Sequence, residues 1–306
     1  MTIQWEKRGV IFRPDSSLDW QRSHASLPVP VRLDERLCRV FFASRDNDNR
    51  SHIGSFDIDL DQPEQIVDRA REPLLRPGPM GYFDDHGIYA ASAAWHEGRL
   101  FLYTIGWSPG VPSPLFYSAI GLAVSDDLGL TFRKHGNIPL LARSEHDPSL
   151  VTSPFVLREG DRWRMWYVSG QAWEQLNGSL HSRYNVKYAE SNDGLNWQRE
   201  GIVCLDSSDS AELNIARTCI VRDGDLYRAW FSSARGEGYR IGEAVSDDGI
   251  HWRRAGTPRG LEPSASGWDA EAMAYPYVIH HKDKWLMFYN GNGFGRDGIG
   301  LAVANA

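Results

Sequence analysis

The chain has 306 residues with 33 Lys and Arg against 40 Asp and Glu, a formal net charge of −7. That balance, without any basic run or basic helix, argues against a nucleic-acid backbone as partner. No apolar stretch approaches membrane length and residues 1–7 lack the apolar core of a signal peptide, so a cytoplasmic protein with no membrane partner is expected.

The first predicted element is a strand at residues 3–10, Ile-Gln-Trp-Glu-Lys-Arg-Gly-Val, which reads like Leu195-Asn196-Trp197-Gln198-Arg199-Glu200-Gly201-Ile202 much later. Two markers then recur along the chain. One is a turn followed by large residues, beginning at Arg39, Arg99, Arg162, Leu226 and Lys284 and ending in Lys284-Trp285-Leu286-Met287-Phe288-Tyr289. The other begins at Ile53, Ile120, Val186, Ile241 and Ile299 and is clearest in Ile299-Gly300-Leu301-Ala302-Val303-Ala304. Both have strand composition, and residues 62–71 alone have the character of a short helical turn. Three internal copies of the second marker lead into a strand with an aromatic and a basic residue: Phe132-Arg133-Lys134, Trp197-Gln198-Arg199 and Trp252-Arg253-Arg254. The copy at Ile299 has no such sequel, and the strand at 3–10, with Trp5 and Lys7, supplies it.

Repeats of about 55 to 67 residues fit four-stranded propeller blades with loops. The expected fold is therefore all-β, a single five-bladed β-propeller domain over 1–306, closed by the N-terminal strand completing the last blade. Twelve each of Trp, Tyr and Phe exceed what such a core needs, so some should line a cleft and present faces to sugar C–H groups. Cys38, Cys204 and Cys219 cannot all pair and lack metal-ligand spacing; they are expected to be buried thiols. Ser125-Asp126-Asp127-Leu128-Gly129-Leu130-Thr131-Phe132 fits an Asp-box, and 191–194 and 246–249 are shortened versions. Their acids should brace tight turns on the outside of the blades.

Chemistry in such a ring belongs on the axis, where the innermost strands begin. Counting back from each large-residue strand aligns Asp85, Asp147 and Asp269, with Glu212 one step later. These four are the candidate catalytic acids, since crowded carboxylates raise the pKa of at least one and let a proton donor and acceptor coexist. Asp84, His86, Glu271, His24 and Arg217 fall in the same loops, and Trp107 and Tyr275 near them, as candidate substrate-binding residues. Arg45, Arg217 and Arg240 are suited to a carboxylate or phosphate on a substrate. No cofactor is required by this chemistry, although axial carboxylates and histidines also suit a divalent cation.

Blade endings such as Tyr188-Ala189-Glu190-Ser191-Asn192-Asp193-Gly194-Leu195-Asn196-Trp197, with the Asp-rich inner loops, resemble the five-bladed propeller glycosidase superfamily of glycoside hydrolase families 43, 32, 68 and 130. The likeness spans essentially the whole chain. Phe41-Phe42-Ala43-Ser44-Arg45-Asp46, Ile105-Gly106-Trp107 and Tyr289-Asn290-Gly291-Asn292-Gly293-Phe294-Gly295 further resemble bacterial glycosidase-like proteins found among surface-polysaccharide genes. The resemblance implies a carbohydrate-active enzyme that hydrolyses or transfers a glycosyl unit of a small-molecule or oligosaccharide substrate. The A-D-P and E-G-P motifs of family 43 are missing, however: Ser153 and Tyr275 precede the aligned prolines, and the first blade offers Leu27-Pro28. Two alternatives stay open, a metal-dependent lyase or phospho-sugar enzyme on the same fold and a glycan-binding protein without turnover. The sugar and the oligomeric state are not fixed by the sequence.

Overall fold

The computed structural model describes residues 3–176, 178–236 and 238–306. Its strands, numbered in chain order, begin with β1 (Glu6–Phe12) and then fall into sets of four. The first set is β2 (Ser23–Arg32), β3 (Leu37–Arg45), β4 (Ser51–Asp59) and β5 (Gln62–Arg69); the second is β6 (Gly87–His96), β7 (Arg99–Pro109), β8 (Phe116–Ser125) and β9 (Arg133–Lys134). The third is β10 (Leu150–Glu159), β11 (Arg162–Leu176), β12 (Ser179–Ser191) and β13 (Gln198–Leu205); the fourth is β14 (Asn214–Asp223), β15 (Leu226–Ala234), β16 (Tyr239–Ser246) and β17 (Arg253–Gly256). The last holds β18 (Ala274–His281), β19 (Lys284–Asn290) and β20 (Ile299–Asn305), and its fourth member is β1, which pairs antiparallel with β20 through Glu6–Val303 and Val10–Gly300.

Residues 62–71 do not form a helical turn. Residues 62–69 are β5, held on β4 through Asp59–Gln62 and Ile58–Ile66 with two irregularities between them. The open edge of β4 offers a hydrogen-bonded ladder, which outweighs the weak local pattern. One four-residue helical turn, Asn292–Gly295, follows β19, with Gly293 and Phe294 in the left-handed region.

The first and second strands of a unit are joined by two-residue turns where Glu159 opposes Arg162 and Asp223 opposes Leu226. Gly160 at φ 64° and Gly224 at φ 60° supply the left-handed conformation that such turns require. The glycine of the second sequence marker has a packing reason. A Cβ at Gly54 would sit 2.2 Å from the Trp20 ring and one at Gly300 2.1 Å from the Trp268 ring, so each tryptophan needs a bare third strand beneath its six-membered ring.

The first strands of the units pack against one another in sequence, β2 on β6, β6 on β10, β10 on β14, β14 on β18 and β18 on β2. Each carries a bulge at an equivalent place, and β2 has a further slip between Ser23 and Ser26. The registers slip between Ser26 and Val29, Ala90 and Ser92, Thr152 and Phe155, Ala216 and Cys219, and Ala274 and Tyr277. The bulges hold Leu27, Ala91, Ser153, Arg217 and Tyr275, and all but Ala91 have φ between 45° and 57°. A bulge re-aims its side chain out of the alternation of the strand, and strained backbone of this kind persists only where surrounding structure over-determines it.

Candidate functional site

The candidate acids divide into two groups. Asp147 is 0% exposed and accepts from Arg199 at 2.8 Å, Ser169 at 2.6 Å, Ser144 at 2.8 Å and Tyr167 at 3.2 Å. Glu212, also 0% exposed, accepts from Arg254 at 3.0 Å, the Ser208 amide at 2.7 Å and the Ser233 hydroxyl. Asp269, 1% exposed, accepts from Lys7 at 3.0 Å and Tyr289 at 3.1 Å. The corresponding acid of the second unit is Asp84, which is buried and takes Lys134 at 2.5 Å, not Asp85. In the first unit Gln21, 1% exposed, follows Trp20 in the same place.

Each of these four acids thus meets the basic residue of the fourth strand of its own unit. Lys134, Arg199, Arg254 and Lys7 are the very residues that marked those strands in the sequence. Four ion pairs, each between a buried acid and a partly buried base, tie the inner loop of a unit to its outermost strand. Arg254, Ser233 and Ser208 hold the Glu212 carboxyl below its usual range, although burial, the largest influence, opposes them.

Asp85 lies one residue outside this pattern. It is half-buried, accepts from Ser108 at 2.7 Å and the Gly81 amide at 2.9 Å, and precedes His86, whose ring meets the Trp107 ring edge to face at 4.6 Å. These residues stand at the end of the units where the first strands begin. Pairings place Ser23 against Arg45, Arg45 against Ser51, Ser51 against Gly87 and Gly87 against Trp107, so they share one rim.

Below this rim the bulged residues form a floor with Leu27 and Ala91 buried and Ser153 7% exposed. Arg217 is 1% exposed and reaches across the inner strands, donating to the carbonyls of Pro28 at 3.0 Å and Ala90 at 3.2 Å. Its Nε has no partner among the described residues, and burial lowers its pKa to about 10, so the guanidinium stays charged at neutral pH. Tyr275 is half-buried; its ring stacks on Phe294 at 6.4 Å and tilts against Tyr239 at 6.0 Å. Tyr89 stacks on Trp107 at 6.5 Å across the rim.

His24, at φ 64°, sits half-buried beside this aromatic wall. Burial first, then the charges of Arg45 and Arg296, push its pKa down to about 4. Arg45 bonds Asn49 at 3.0 Å, and Arg240 donates to the carbonyls of Tyr239 at 2.9 Å and Glu271 at 2.8 Å. The Glu271 side chain is exposed. The structure therefore gathers His24, Arg45, Asp85, His86, Trp107, Arg240 and Tyr275 at one mouth, puts Arg217 beneath it, and withdraws Asp84, Asp147, Glu212 and Asp269 into ion pairs. Sequence reasoning missed Tyr89, Tyr239, Phe294 and Arg296. The glycine-rich run after β19, unlike the sequel of any other second strand, is the signal that pointed to the last two.

No group of three His, Cys, Asp or Glu side chains among the described residues is arranged to hold a metal ion. Asp84, Asp147, Glu212 and Asp269 are each already bonded to a Lys or Arg. A polar cleft of about 480 Å³ lies on the outer side of the third unit, lined by Glu159, Arg162, Glu190 and Asp193, away from the mouth.

No family model matches the chain. The Mycobacterium tuberculosis (strain CDC 1551 / Oshkosh) protein named "Uncharacterized protein MT1551" is 40% identical over 301 residues, covering 98% of this chain and 99% of its own. The chain belongs to its family. Among solved structures, one named "Glycoside hydrolase" superposes with a TM-score of 0.76 at 17% identity, covering 100% of this chain and 93% of that one. A thermostable family-43 glycoside hydrolase gives 0.66 at 14%, covering 92% and 88%. At these identities the likeness shows the fold of this chain, that of glycosidase-like propeller structures.

Proposed function

We propose that the mouth binds a saccharide, and that the chain is a carbohydrate-active, glycosidase-like protein built as one domain over 1–306, a five-bladed propeller closed by β1. The cyclic packing of the first strands and the pairing of β1 with β20 support the closed ring. Neighbours named as glycoside hydrolases support the ligand class. The observation that carries the reading is the mouth itself: Tyr89 pairs with Trp107, and Tyr239, Tyr275 and Phe294 form a second aromatic cluster, above a strained floor that buries Arg217 beside Leu27 and Ala91. Aromatic faces with a few placed polar groups are how concave sites orient ligands. A cytoplasmic setting belongs to this proposal and suits three buried free thiols; no helix among the described residues is long and apolar enough to cross a membrane.

The floor does not favour hydrolysis by two axial carboxylates. Such chemistry needs an acid and a base roughly 5 to 9.5 Å apart about the scissile bond, and the bulge positions hold Leu27, Ala91, Ser153, Arg217 and Tyr275. Turnover is a second reading, favoured by one fact: Asp85 alone of the four candidate acids remains open to solvent, beside His86 and Trp107. No metal is required in either reading.

The test is a panel of neutral and acidic oligosaccharides, sugar phosphates and sugar nucleotides followed by protein NMR, with products analysed for every ligand that binds. Binding should be weakened about tenfold or more by Trp107→Ala, the cost of losing one stacked aromatic face. A ligand consumed by the native protein and spared by Asp85→Asn establishes turnover. A panel with no ligand at all overturns the saccharide reading.

A further inference from the structure

The mouth holds cations without an acidic partner among the described residues. Arg45, Arg240 and Arg296 have no carboxylate within 4 Å among the described residues, whereas Arg22 and Arg50, near Arg45 at the same end of the first unit, each do. Arg45 stands at the inner end of β3 opposite Ser23, and its Nε is buried without a partner while Nη1 bonds Asn49. The neighbouring acid is not free to serve it: Asp46 is engaged by His52 at 3.0 Å and Arg50 at 3.2 Å. Arg296 is exposed just past the turn that carries Phe294, and that turn is pinned to the floor by the Ser26 hydroxyl donating to the Phe294 carbonyl at 2.5 Å.

These groups converge. His24 feels both Arg45 and Arg296, with Asp297 as the one acid acting on it in the opposite sense. Tyr275, on the bulge of β18, lies within the charge influence of both Arg45 and Arg217. Unpaired guanidinium groups drawn together at the edge of a concave site repel one another and cost stability unless an anion joins them. A carboxylate or phosphoryl group matches the guanidinium fork in both geometry and charge.

Resting on the saccharide reading, we propose that the mouth selects acidic sugars, with Arg45 and Arg296 donating to an anionic oxyacid group on the saccharide, His24 beside it, and the Tyr275–Phe294 wall against the ring of the same residue. The anion takes the place of the missing carboxylate partners, and the Arg45 Nε, which has no partner among the described residues, adds a donor left unsatisfied by the fold. The proposal fixes the ligand by chemistry: a sugar carrying a carboxylate or a phosphate, not its neutral counterpart.

Titration calorimetry of the full chain should compare a glucuronate-containing disaccharide, its glucose counterpart and glucose 6-phosphate at low and high salt. The acidic ligands should bind at least about tenfold more tightly than the neutral one, with the difference shrinking as salt rises. The better of the two acidic ligands identifies a carboxylate or a phosphate as the group held. Arg296→Gln, at an exposed position that folding does not depend on, and Arg45→Gln should each weaken the acidic ligand about tenfold and leave the neutral one unchanged. Equal binding of the neutral disaccharide, or equal loss of both ligands in Arg296→Gln, overturns the anion proposal while leaving the saccharide site standing. If none of the three ligands binds, while the wider panel finds a neutral saccharide, selection of acidic sugars is refuted; if that panel is also empty, the saccharide reading falls with it.

Discussion

Arg199 on the outermost strand of the third unit donates to Asp147 in its inner loop at 2.8 Å, across 52 residues of sequence. Lys187 stands 3.8 Å from the same carboxylate. The pair spans the unit from its inner loop to its rim strand, and three other units repeat the arrangement.

Breaking such a pair should be a matter of stability. Asp147→Asn leaves Arg199 and Lys187 without their counter-charge in a buried place, and the loss should be about 3 to 5 kcal/mol. Asp85→Asn, which removes a half-exposed acceptor, should cost less than about 2 kcal/mol. Urea denaturation of the two variants measures the contrast; near-native stability of Asp147→Asn would contradict the clamp.

Glu212 gives the clamp a pH signature. Its folded pKa lies below the ordinary 4.5, so the folded chain binds its proton more weakly than the unfolded one. The ionised carboxylate therefore stabilises the fold above pH 4.5, and this is lost as pH falls through the lower folded value. Glu212→Gln should flatten that part of the stability profile, as measured by chemical denaturation at a series of pH values below about 5.

His24 should titrate near pH 4 in the free protein, against 6.5 for an open imidazole. Between those values the unfolded chain takes up a proton that the folded chain refuses, so stability falls as pH drops from about 6.5 toward 4. Arg45 and Arg296 oppose protonation and Asp297 favours it. Imidazole NMR reads the value directly: a midpoint near 6.5 would place the ring in open solvent, whereas Arg296→Gln should raise the midpoint.

Deleting residues 1–12 removes the partner of β20, the Lys7 that answers Asp269, and the Trp5 ring, which meets Trp230 edge to face at 6.0 Å. The melting midpoint should fall by at least about 10 °C, or the protein should fail to stay in solution. An unchanged melt would mean that the other strands of the last unit stand without β1.

The strand repeats were legible because each unit spends the same residue types at the same turns, and the Ile-Gly marker has a cause in Trp20 on Gly54 and Trp268 on Gly300. The basic residue after each aromatic was visible too, but its partner was not, since 50 residues separate Asp84 from Lys134 and 42 separate Glu212 from Arg254. Two adjacent aspartates then misled the alignment toward Asp85. The aromatic before each acid, Phe83 and Trp268, would have fixed the register at Asp84 and Asp269. The mouth was hardest to read, because Arg45, Tyr89, Tyr239 and Arg296 come from four different units and nothing local links them.

β1 leaves the ribosome long before its partner β20 is made. At about 5 to 20 residues per second, roughly 15 to 60 s separate the two. Throughout that interval the nascent chain carries an orphan strand, with Trp5 and Lys7 waiting for neighbours not yet made. A chain whose translation stalls before Ile299 keeps that bare edge, and quality-control machinery would meet it as an unfinished product.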